Sequence, residues 1–74
     1  MNILQIYSPE SHLGAFILAN EKGLLDLKCA IDEAIKNHRS KVNFFCVDGK
    51  EYDLEIIKQT SEQLSEFAVE PHNL

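Results

Sequence analysis

Several things are missing from this 74-residue chain, and each absence removes a class of function. No apolar run approaches the roughly 18 residues that a bilayer-spanning helix needs, so no membrane span is expected. The start, Met1-Asn2-Ile3-Leu4-Gln5, has no basic region and no cleavage pattern, so it does not read as a signal peptide and a cytoplasmic location is expected. There are only two cysteines, Cys29 and Cys46. Without an export signal they are expected as reduced thiols. The three histidines, His12, His38 and His72, have no metal-ligand spacing to one another or to a cysteine, so no metal and no cofactor is expected.

Basic residues are also scarce where they would matter. Residues 1–47 balance five acids against five bases, whereas residues 48–74 hold seven acids against Lys50 and Lys58. The whole net charge of −5 therefore falls in the last third. Nucleic-acid binding needs a basic footprint and is not expected. A basic protein partner is compatible with this charge. Glu51, Asp53 and Glu55 alternate along one strand, but no cleft accompanies them, so they read as a wet face and no catalytic residue is assigned. The chain is expected to be non-enzymatic.

What is present is one small domain, residues 1–74. With 45% apolar and 26% charged residues it has the make-up of a folded chain. At this length a single core supplies about 3–5 kcal/mol. The organising stretch is Ala15–Asn37, an apolar strand turning at Asn20 into an amphipathic helix. Asn20 suits the N-cap and Glu21 the first turn. At about 100° per residue, Leu24, Leu27, Ile31, Ala34 and Ile35 form one stripe, expected to face the core.

Before this stretch, Asn2–Tyr7 reads as a strand, broken by Ser8-Pro9-Glu10-Ser11-His12. After it, Ser40–Val47 and Tyr52–Lys58 alternate as two further strands around Asp48-Gly49. A two-residue turn would set Phe44 against Asp53, so an odd loop with Gly49 left-handed is expected, pairing Phe44 with Tyr52 or Leu54. In the tail, residues 60–74, Thr60 and Gln63 have capping-box spacing and start a short helix. The expected fold is thus α+β: strand–strand–helix–strand–strand, a four-stranded sheet with the main helix on one face and a short C-terminal helix. Ile31 and Phe44 are expected among the most buried side chains. The other sheet face is expected to gather Ile17, Phe45, Val47 and Ile57, too apolar for solvent, with Asp53 and Glu55 as an acidic rim. Either the tail, through Leu64, Phe67 and Val69, or another chain would cover it.

The segments Phe16-Ile17-Leu18-Ala19-Asn20, Gly23-Leu24-Leu25 and Leu27, followed by the hairpin Phe44–Asp48 and Tyr52–Ile56, resemble a family of small bacterial immunity proteins from polymorphic toxin systems, the immunity protein thirty-two type. The resemblance covers roughly residues 14–58. Where that family has a histidine near the third strand and then His-Leu-Asp, this chain has Asn43-Phe44-Phe45-Cys46-Val47-Asp48. The resemblance implies a protein that binds and neutralises a cognate toxin, and it transfers no functional residue. The alternatives are a homodimeric domain of unassigned role or a small ligand-binding module.

Overall fold

A computed structural model describes residues 1–7 and 14–68, the last two by their backbone alone. The break expected at residues 8–12 and the tail beyond residue 68, with Val69, lie outside the described residues, as does the Phe67 side chain. The element order is β1 (Leu4–Tyr7), β2 (Phe16–Ala19), α1 (Glu21–Asn37), β3 (Arg39–Phe45), β4 (Glu51–Ile57) and α2 (Ser61–Ala68). The α+β class and the element order are those expected from the sequence.

The single four-stranded sheet is not. The strands form two antiparallel pairs, β1–β2 and β3–β4. One parallel bridge, Ile3 to Phe45, joins them. The reason is where β3 stops. Immediately after Phe45 the chain enters its turn, with the Cys46 N–H donating to the Lys50 carbonyl at 2.7 Å. β1 therefore begins where β3 ends, and no further β3 edge is left for it to pair with. The β3–β4 loop is the expected odd one: Phe44 faces Tyr52, Phe45 faces Glu51, and Gly49 has φ +90°.

Helix α1 is capped as its sequence predicts. The Asn20 side-chain oxygen accepts from the Gly23 N–H at 2.8 Å, and His38 ends the helix in the left-handed region at φ 72°. Its seating differs from the expected one. The buried stripe is Gly23, Ala30 and Ala34, with Leu27 half-buried, and Ile31 is 43% exposed. Small residues let the helix backbone close on β3, and the buried Ser40 hydroxyl donates to the Ala30 carbonyl at 2.6 Å. Leu24, Ile31 and Ile35 are rotated roughly a quarter turn off that stripe and stay exposed. The fully buried large side chains are Phe44, as expected, and Leu4.

The two pairs of strands are tied at the N-terminus by two asparagines. Asn20 accepts from the Ile3 N–H at 3.0 Å and donates to the Met1 carbonyl at 2.8 Å. Asn2 donates to Asp26 and to the Asn43 carbonyl, each at 2.9 Å, while its own carbonyl accepts from the Phe45 N–H at 3.0 Å. Helix α2 starts with the predicted capping box, Thr60 and Gln63 exchanging bonds of 2.8 and 3.1 Å. Among the described residues α2 has no substantial packing against another element, and Leu64 is 54% exposed.

Candidate functional site

Paired positions in an antiparallel ladder point to the same side, and successive residues alternate. Asn43 opposite Asp53, Lys41 opposite Glu55 and Arg39 opposite Ile57 therefore put Phe45, Asp53, Glu55 and Ile57 on one face of β3–β4, away from α1. That grouping is the expected one. The face is more polar and better neutralised than its acids alone suggest. Glu55 pairs with Arg39 at 2.7 Å, and Asp53 accepts from the Asn43 amide at 3.2 Å. Phe45 is half-buried by its bridge to Ile3, and Ile57 stands 50% exposed at the far end of the strand. Val47 lies past the strand, 60% exposed, its N–H donating to the Gln5 side chain at 3.2 Å.

Ile17 does not join this group. It pairs with Ile6, on the same side as Leu4, while Phe16 pairs with Tyr7 on the opposite side together with Leu18. The bridge of Ile3 to Phe45 fixes which side is which: Leu4 and Phe44 share the helix side, and so does Ile17. Alternation within each strand does not reveal this parity, because it depends on the register between two separate strands.

The surface that stands out is the β1–β2 arm. It runs on past the end of β3, where α1 does not cover it. Ile6 and Ile17 on one face are 51% and 47% exposed; Tyr7, Phe16 and Leu18 on the other are 51%, 52% and 44% exposed. Tyr7 and Phe16 meet edge to face at 5.6 Å. One signal in the sequence marks the arm: residues 1–7 and 14–20 contain no Asp, Glu, Lys or Arg. Ser8 and His12 lie outside the described residues.

Where the arm meets the body, Gln5, Ile6, Cys46 and Tyr52 line an open cavity of about 310 Å³. Cys29 is exposed and Cys46 half-buried, and both are free. The Tyr52 hydroxyl donates to the Leu4 carbonyl. Burial first, then the charge of Cys46 once ionised, push the Tyr52 phenol above its ordinary value of 10. Above pH 10 the unfolded chain loses this proton while the folded chain still holds it, so stability falls as the pH rises. Melting temperatures measured across that range should drop less steeply in Tyr52→Phe than in the wild type; equal slopes would remove Tyr52 as the cause. Among the described residues no three His, Cys, Asp or Glu side chains are grouped to hold a metal ion, and no helix is long and apolar enough to cross a membrane. Compared with models of protein families, with curated proteins and with solved structures, the chain matches none.

Proposed function

We propose that this is a non-enzymatic binding protein whose working surface is the β1–β2 arm. The observation that carries the reading is a two-stranded ribbon with five large apolar side chains, about half exposed, spread over both faces. A lone two-stranded ribbon is marginal in water, and contiguous apolar surface on a small domain marks an interaction site. The resemblance to polymorphic-toxin immunity proteins supports a cognate toxin as that partner, neutralised by occlusion. The mixed face of Phe45, Asp53, Glu55 and Ile57 is the second surface open to it.

Tyr7 sits on the outer face of the arm, away from the β2 edge, so Tyr7→Glu tests the reading without touching the fold's core. Used as bait in the native host, the wild type should retain a stoichiometric protein partner that Tyr7→Glu loses, with the same circular dichroism for both. Equal retention by the two baits would overturn the arm as the binding surface.

A further inference from the structure

We infer that α2 is a strap that closes against the flank of α1, on the helix side of the β3–β4 hairpin, and that the structure shows it open. In the closed form α2 runs antiparallel to α1, with Leu64 beside Ile35. The strap lies at the end of the hairpin where β3 begins, whereas the arm joins where β3 ends. Its closure is therefore independent of what the arm binds.

The flank follows from how α1 is seated. The helix rests on β3 through Gly23, Ala30 and Ala34. Asp26, on one side of that stripe, bonds to Asn2, which lies at the β3 edge away from β4. At about 100° per residue, Leu24, Ile31 and Ile35 fall roughly half a turn from Asp26, so they overhang β4. Ile31 is 43% and Ile35 57% exposed. Beside them, Leu54 and Ile56 pair with Val42 and Ser40 on the helix side of the hairpin and are only half-buried. Helix α1 thus fills the half of this layer above β3, and among the described residues the half above β4 is left without a helix.

The chain supplies its own occupant. Helix α2 follows β4 directly, and its tether is pinned to the end of α1. The Lys58 N–H donates to the His38 carbonyl at 2.9 Å, and Lys58 Nζ donates to the Ile35 carbonyl at 2.7 Å, one of those the last turn of a helix leaves free. Only Gln59 and Thr60 separate this pin from Ser61. His38, Lys58, Gln59, Thr60 and Gln63 line an open cavity of about 580 Å³, so the first turn of α2 already faces the end of α1 across it. On a helical projection of the sequence, Leu64 shares a face with Phe67 and Ala68, opposite Glu62 and Glu66. Leu64 is 54% exposed.

Charge favours the same occupant. The end of α1 gathers Lys36 and Lys58, while α2 carries two acids and no base. Running antiparallel, α2 also brings its positive N-terminal end to the negative C-terminal end of α1. A segment tethered by so short a link meets its site at an effective concentration of about millimolar, which an untethered partner has to match. Both helices rise about 1.5 Å per residue. An α2 that starts level with His38 therefore sets Leu64 beside Ile35 and position 68 level with Ile31.

In the full chain with Cys29→Ser and Cys46→Ser, Ile35→Cys leaves one thiol, and its rate of alkylation by iodoacetamide reads whether the flank is covered. A strap closed about two-thirds of the time slows this reaction about threefold, and Leu64→Asp, which puts a charge into the contact, should restore the faster rate. Ser65→Asp adds the same charge off the apolar face and should leave the protection in place. Leu25→Cys, 53% exposed on another side of α1, should react equally fast with and without Leu64→Asp. Ile31→Cys is a second reporter and should follow Ile35→Cys. Equal rates at Ile35→Cys with and without Leu64→Asp would overturn the strap, as would protection that Ser65→Asp removes just as well. Protection that grows with protein concentration would overturn it in favour of a second copy on the flank.

Discussion

Replacing Phe44 with alanine is expected to leave most of the protein unfolded at room temperature. Phe44 is fully buried, and the buried apolar core of the described chain is small: Leu4, Ala30, Ala34 and Phe44. Two of these four are alanines, so Phe44 and Leu4 supply most of its side-chain volume. Truncating a buried phenylalanine costs about 3–5 kcal/mol, which equals the whole stability of about 3–5 kcal/mol that one core gives a chain of this length. Ile31→Ala, at a position 43% exposed, should cost much less and still melt cooperatively. Urea or thermal melts followed by circular dichroism decide between them. A Phe44→Ala variant that melts like the wild type, with Phe45→Ala unfolded, would mean that the helix rests on the other sheet face.

Gly23→Ala is the second large effect, and here two forces oppose each other. Helix propensity alone favours alanine over glycine by about 1 kcal/mol. Sterics oppose it, because a Cβ at this position would stand 2.0 Å from the Ile3 carbonyl oxygen and 2.8 Å from its carbon. Both are backbone atoms on a segment held by Asn20, so neither can turn aside as a side chain would. The clash wins, with a net loss of about 1–3 kcal/mol and detachment of the arm from the helix. Gly14→Ala is the matched control, since its Cβ would meet nothing within 4 Å. If Gly23→Ala proves as stable as the wild type, the first turn of α1 does not rest on Ile3.

Local chemistry made much of the fold legible. The Asn20 cap, the Thr60–Gln63 box and the odd loop at Gly49 each follow from a few neighbouring residues, and each is present. What failed depends on packing partners far away in the chain. Leu24, Ile31 and Ile35 look like a core stripe, yet the helix settles on Gly23, Ala30 and Ala34, because close backbone approach and the Ser40–Ala30 bond compete with large-side-chain burial. Ile17 stands on the side opposite to Phe45, against the expectation, because strand parity is visible within one strand and invisible between two. The single sheet failed for the same reason: nothing in residues 2–7 announces that β3 ends before β1 begins. Asp53 and Glu55 do share one face of β4, as their alternation indicates, whereas the exposure of the arm is marked in the sequence only by its lack of charge.

The Leu4–Tyr52 bond and the Ile3–Phe45 bridge also set an order of events during synthesis. The arm leaves the ribosome before the residues that anchor it: Phe45 follows Ile3 by 42 residues, and Tyr52 follows Leu4 by 48. At about 5–20 residues per second, that delay is about 2–10 s. For that interval a nascent chain presents the arm sequence with no body to hold it. On a message carrying several ribosomes, neighbouring nascent chains present that same segment.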